Sequence, residues 1–483
     1  MVSTIFNLPF YRVKQVVASL ILPHFPMPAQ WFHNTEQQDY LDKPGQLHHH
    51  SLQSQASNRS IRMGLFLLIG ILLGLTAIYS VINERYLHLQ SAIGLMLLAL
   101  LTSLLLAVVS LTMHVDSISW LRELVEKLDI SEVLLNGVLC FMLFAGSAGV
   151  QIKSLEDKKW VILSLAIGST LIACVLTGFL LSTVLGWFGV TLALTYALVF
   201  GALISPTDPI AALAILKAAG LPEPLEATIN GESLFNDGVG VVLFTMALAF
   251  VGGSTQPTLS DAVLLFLREV LGGIGLGLIV GYITHFMLLR TNDFGNQLLI
   301  TLATVTLGYA IALEIEVSGP IAMVVAGLVV GNVTAPRIAD DVRAPLATFW
   351  TGIDDTLNSL LFVMMGFIVI FVHNLAIAPL GLSIAVAILV CLVARAVSVY
   401  IPLALLTSSN VLKADAFSMT KLFTWAGLRG GLALALALSL PESPEKALIV
   451  NMTFGVVAFS ILVQGSTIGK LFSPEYLKGI LKG

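Results

Sequence analysis

Charge is what this chain has least of. Only 11% of its 483 residues are Asp, Glu, Lys or Arg, while 57% are hydrophobic; soluble domains carry about 25% charged residues. An ordinary soluble domain is therefore excluded. The net charge of −5 is too small to argue for a highly charged partner, and nucleic acid is not expected. Cysteine is scarce too. Cys140, Cys174 and Cys391 all lie in apolar segments without metal-ligand spacing, and read as small buried apolar residues. No Walker-type nucleotide motif is present, so coupling to a nucleotide has no basis. Neither an intramembrane His-Glu motif nor a Gly-x-Ser-x-Gly elbow occurs at span depth. The chain is not expected to be an enzyme, and no cofactor is implied. The short alternating segments of a membrane β-barrel are missing as well.

What is present is a succession of apolar runs, each near the roughly 20 residues that cross a bilayer as a helix. The fold class is an all-α polytopic membrane protein with about thirteen transmembrane helices. They are placed at 63–82, 91–113, 133–152, 161–187, 191–218, 227–251, 270–289, 297–313, 317–330, 357–372, 380–406, 417–438 and 447–468. Residues 1–62 precede them as a polar or interfacial region. Its apolar stretch 16–22 reads as an interfacial helix rather than a signal peptide. Its His48-His49-His50 reads as a plain polar tract, with metal binding as the other option. Residues 117–128 form an amphipathic segment expected to lie along the interface. Residues 469–483 form a short tail. Twelve basic residues lie in the loops after odd-numbered spans and in the tail, among them Lys153, Lys158, Lys159, Arg337, Arg343 and Lys470. Only Arg122, Lys127, Arg268 and Lys446 lie in the other loops. The positive-inside rule then puts the C-terminus in the cytoplasm.

Two spans are interrupted. The fifth carries Ser205-Pro206-Thr207-Asp208-Pro209, where an unbroken helix is difficult. The twelfth carries Gly427-Leu428-Arg429-Gly430-Gly431, which permits unwinding or close approach. Each is the middle of a three-span group, and the groups have opposite orientations. Such paired interruptions point to an inverted-repeat transporter with its site at the breaks.

Ionisable groups at membrane depth are functional candidates by default. The sixth span holds Gly231-Glu232-Ser233-Leu234-Phe235-Asn236-Asp237-Gly238. Glu232 and Asn236 share one helical face, as do Ser233 and Asp237. A hydroxyl, a carboxamide and a carboxylate ligate a hard monovalent cation through oxygen, and the break at Thr207 frees carbonyls for the same ion. Burial favours the neutral form of a carboxyl group, so a proton and a cation compete for Asp237. Glu232 is read as the partner of Arg429, because an unpaired charge there is costly. Arg395, deep in the eleventh span, is expected to pair with an acid such as Asp208. Asp354 and Asp355 are read as N-terminal acids of the tenth span.

These motifs, together with Phe349-Trp350, Leu357-Asn358, Leu361-Phe362, Gly366 and Arg395, resemble the sodium/proton exchanger branch of the monovalent cation/proton antiporters. The resemblance runs from Met63 to about Ile468. It implies a thirteen-span antiporter, usually a homodimer. Core spans would occupy about 133–252 and 357–468, the remainder serving dimerisation. It implies that Asp237 carries the ion, aided by Asn236, Thr207, Asp208 and Ser233, and that Glu232 and Arg429 form a structural pair. One departure stands out: many relatives have glutamate in the third span where this chain has Ala145. The function expected is secondary active exchange of Na+, Li+ or K+ for H+ by alternating access, electroneutral, in the plasma membrane. A K+/H+ antiporter, an uncoupled cation channel and a non-transporting ion sensor are the alternatives.

Overall fold

In a bilayer the backbone has no water to bond, so its polar groups must be satisfied within each segment. The computed structural model obeys this with helices throughout. It describes residues 67–113, 133–156, 158–252, 259–367, 377–409, 411–412 and 414–480, within which no strand occurs. The N-terminal region 1–62 with its histidine tract, the amphipathic 117–128 segment, and the end of the tenth predicted span lie outside the described residues.

In chain order the helices are α1 (Leu67–Leu87), α2 (Ser91–Met113), α3 (Val133–Ala148) and α4 (Lys159–Trp187). The interrupted α5 (Leu194–Ile204) and α6 (Ile210–Ala218) come next, followed by α7 (Glu223–Gly252) and α8 (Leu259–Leu288). Then follow α9 (Phe294–Glu314), α10 (Gly319–Arg337), α11 (Asp340–Phe367) and α12 (Ile377–Ser408). The second interrupted pair, α13 (Ala416–Ala426) and α14 (Gly431–Leu438), precedes α15 (Pro444–Leu471) and the short tail helix α16 (Pro474–Ile480). The described parts of the predicted segments are mainly helical, with the fifth and twelfth interrupted. Among the described residues eight helices are by themselves long and apolar enough to cross a membrane, or nine with α13 and α14 taken as one span bent by 58°.

The tenth segment differs most from expectation. Its helix starts at Asp340 rather than near position 357, because the lead-in is amphipathic. Val342, Leu346 and Trp350 are buried on one side while charged residues occupy the others. Asp354 and Asp355 are thus well inside α11 and are not helix N-terminal acids. His285 is buried near the end of α8, with Nδ1 3.0 Å from the Thr334 hydroxyl.

Buried apolar side chains form two clusters. The larger gathers α1, α2, α4 to α7 and α11 to α16, including Phe200, Leu203, Phe423 and Leu436. The smaller joins α3 with α8 to α11, and with Leu234 of α7, through Phe144, Tyr309, Met323 and Trp350. In these contacts α3 sides with the helices that follow α7. The cavity described next lies along this seam, touching Leu143 and Leu234 of one cluster and Phe362 and Ala433 of the other.

Candidate ion-binding site

Pro206 and Pro209 lack an N–H and cannot continue α5. The chain leaves helix at Ser205 and resumes at Ile210. This frees the last carbonyls of α5, and Arg429 takes them: its Nη1 donates to Ser205 O at 2.6 Å and Pro206 O at 2.9 Å. The Arg429 amide in turn donates to Ser460 Oγ at 2.8 Å. The second break is satisfied from the first, since the Asp208 amide donates to Leu428 O at 2.8 Å. Asp208 Oδ1 accepts from the Ile210 amide at 3.0 Å, capping the start of α6. The interrupted spans therefore cross and supply each other's missing backbone partners.

Close approach at the crossing needs glycine. A Cβ on Gly430 would stand 2.6 Å from Asp208 Oδ2. On α7, a Cβ on Gly240 would run into the Pro206 ring.

The polar residues of α7 divide by face. Ser233 and Asp237, one turn apart, line a cavity of about 340 Å³ together with Asp208, Asp354, Asn358 and Ala145. Glu232 and Asn236 turn into a buried network instead. Arg395 Nη2 lies 2.9 Å from Glu232 Oε1 and 3.1 Å from Oε2. Asn236 Nδ2 donates to Glu232 Oε1 at 3.1 Å and to Thr207 Oγ1 at 2.9 Å. Thr207 Oγ1 completes the set by donating to Glu232 Oε1 at 3.4 Å. Glu232 and Arg395 are 2% and 1% exposed, so the pair is desolvated on both sides.

Two predicted pairings are corrected by this geometry. Glu232 pairs with Arg395, not Arg429, because the freed carbonyls of α5 hold the Arg429 guanidinium. Arg395 does not pair with Asp208, whose carboxylate faces the cavity and the start of α6. Of the residues predicted to bind the ion, Asp237, Ser233 and Asp208 come together on the cavity. Thr207 and Asn236 are fully buried in the network and are not part of its lining.

Asp354 and Asn358 were missed as site residues. They sit one turn apart on α11, with Asn358 Nδ2 donating to Asp354 Oδ1 at 3.1 Å. The available signal was their i, i+4 spacing, obscured by starting the tenth helix too late. Ala145, where a carboxylate was expected by resemblance, does line the same cavity.

A carboxylate-lined cavity beside two crossing, interrupted helices defines a multi-pass membrane protein of the inverted-repeat antiporter fold. The fold is similar to that of the sodium proton antiporter MjNhaP1 from Methanocaldococcus jannaschii, with a TM-score of 0.67 at 20% identity, covering 87% of this chain and 99% of that one. The chain belongs to the sodium/hydrogen exchanger family, whose transmembrane model matches residues 93–473. It is 38% identical over 423 residues to the Na(+)/H(+) antiporter NhaP of Pseudomonas aeruginosa, covering 85% of this chain and 96% of that protein. It is 32% identical over 375 residues to the Na(+)/H(+) antiporter NhaH of Halobacillus aidingensis, covering 76% and 90%.

Proposed function

We propose that this protein is a secondary active Na+/H+ antiporter, working by alternating access with Asp237 as the exchanging group. One observation carries this reading: Asp237 and Ser233 face the cavity from one side of α7, while Glu232 and Asn236 are engaged in the buried network behind it. A proton or a cation each neutralises the Asp237 carboxylate, and one excludes the other. Ser233 Oγ and the Asp208 carboxylate supply further oxygen ligands from the cavity wall. Thr207 and Asn236 act one layer back, holding the broken helix against α7. The names of the relatives favour sodium as the cation.

Exchange is one proton per cation in this scheme. Asn236, next to Asp237, carries no titrating proton, and Glu232 is taken up by Arg395 in the buried network. We further propose that thirteen-span protomers form a homodimer in the plasma membrane, with the C-terminus in the cytoplasm as the loop charges favour.

The test is reconstitution in liposomes. Na+, Li+ or K+ pulses should release or take up protons, with half-saturation rising as pH falls because protons occupy the same carboxylate. Rates clamped at several potentials should not change; membrane potential does about 2.3 kcal/mol of work per charge per 100 mV. A voltage-dependent reversal point would mean that Asp208 or Asp354 titrates too. Cation flux without proton movement would identify a channel instead.

A further inference from the structure

The ion cavity carries more acid than one exchanging group requires. Asp208, Asp237 and Asp354 all line it, and no lysine, arginine or histidine is among its lining residues. Asp208 caps the start of α6 and Asp237 exchanges the ion, which leaves Asp354 without a task. Its place is deep. Because α11 begins at Asp340, Asp354 lies about 21 Å along the helix at 1.5 Å per residue. Asn358, one turn on and 6% exposed, braces it: Nδ2 donates to the Asp354 carbonyl at 3.0 Å and to Oδ1 at 3.1 Å. Among the described residues nothing donates to Asp354 Oδ2, and no basic side chain pairs with either oxygen. The next residue, Asp355, is exposed and does not line the cavity.

An ionised carboxyl group only accepts hydrogen bonds, and at membrane depth it is costly without a counter-charge. The cavity walls supply none. The polar lining residues are spaced alike on two helices: Asn230, Ser233 and Asp237 on α7, and Thr351, Asp354 and Asn358 on α11. Intervals of three and four keep each row on one helical face, so the cavity has two oxygen-bearing walls, and only one of them holds the exchanging group. We propose that Asp354, positioned by Asn358, is a second subsite for a hard monovalent cation, which gathers the ion and delivers it to Asp237. Charge of one sign in a cleft with low-dielectric walls raises the local concentration of counter-ions. Asp354 passes the cation on and carries no proton through the cycle, so it sets the apparent affinity and leaves the stoichiometry alone. The inference rests on the transport reading and adds to it the residue that governs cation demand.

Two measurements on the full-length protein test it. In liposomes, Asp354→Asn should raise the half-saturation constant for Na+ severalfold while the maximal rate stays near wild type, and Asp354→Glu should recover most of the affinity. Asp355→Asn, which alters a charge outside the cavity, should leave the constant unchanged. Unaltered half-saturation in Asp354→Asn, or an equal rise in Asp355→Asn, overturns the subsite. So does complete loss of exchange in a folded Asp354→Asn, which would make Asp354 an exchanging group. The second measurement needs no variant to fold. Wild-type crystals soaked in Tl+ at alkaline pH should show anomalous density beside the Asp354 carboxyl group as well as beside Asp237. Density at Asp237 alone means that Asp354 is neutralised by a proton, and overturns the proposal. If wild-type protein neither exchanges Na+ for protons nor holds Tl+ in the cavity, the transport reading itself falls, and the subsite with it.

Discussion

Glu232→Gln is the substitution whose outcome the structure constrains most. The carboxylate is 2% exposed and its partner guanidinium 1%, so solvent screens neither charge. Both Glu232 oxygens lie within 3.1 Å of Arg395 Nη2, and Asn236 and Thr207 also donate to Oε1. The glutamine keeps the shape, but it removes the counter-charge, and with its amide oxygen kept toward Asn236 and Thr207 its NH2 faces the Arg395 donor. Breaking a buried pair by neutralising one member costs about 3–5 kcal/mol, and the extra donor conflict puts the expectation at the upper part of that range. Thermal unfolding of the purified protein, followed by tryptophan fluorescence, should show this as a large drop in Tm. The double variant Glu232→Gln/Arg395→Gln should regain a good part of the loss, since residues in one network couple by about 0.5–3 kcal/mol. Glu232→Gln/Arg429→Gln should be worse than either single variant, because Arg429 has its own task at the Ser205 and Pro206 carbonyls. Recovery through Arg429, or no recovery through Arg395, would refute the pairing.

Asp237→Asn should abolish cation-driven proton movement in liposomes while the protein still elutes as a folded species; wild-type exchange would remove Asp237 from the site. Gly430→Ala should raise the half-saturation constant for Na+ severalfold, because its Cβ would meet Asp208 Oδ2 at 2.6 Å and overpacking costs about 1–3 kcal/mol; unaltered kinetics would show that Asp208 is not held by the crossing. At the entry to α13, outside the spanning segment, Asp415 accepts from the Ser418 amide at 3.0 Å and the Phe417 amide at 3.3 Å. Hydrogen bonds from Ser418, side chain and backbone, hold its carboxyl below the ordinary carboxylate range. A lowered folded-state value stabilises above the unfolded value of about 3.9, and this contribution fades as pH falls through the folded value. Asp415→Ala should therefore cost about 0.5–1 kcal/mol at neutral pH, and the difference from wild type should shrink in acid; a gap that widens below pH 4 would contradict the cap.

Much of this arrangement was legible before any coordinates. Apolar runs located the spans, and Pro206, Pro209 and the glycines at 427, 430 and 431 located both breaks, since those residues act on their own backbone. The i, i+4 rule separated Ser233 and Asp237 from Glu232 and Asn236. It could not say which pair faced the cavity. Partner choice between two arginines was beyond reach, because Glu232 and Arg395 are 163 residues apart and meet only once the halves are packed. The place of Arg429 follows from carbonyls that Pro206 and Pro209 set free, a backbone vacancy that no side-chain pattern announces. Asp354 was misjudged because the first turns of α11 are amphipathic, which hides a helix start from any search for apolar length.

The hydrogen bond from the Asp208 amide to Leu428 O joins the two interrupted spans main chain to main chain. Its strength depends on where two stretches of backbone lie and hardly at all on which side chains they carry. Sequence drift at position 428 leaves it untouched, and at 208 only proline would delete the donor. An exchanger built this way can change the side chains that line its cavity, Ala145 among them, without touching the donor or the acceptor of this joint. Comparison of residue identities across relatives would pass over that joint, although any motion of one break has to carry the other with it or sever the bond.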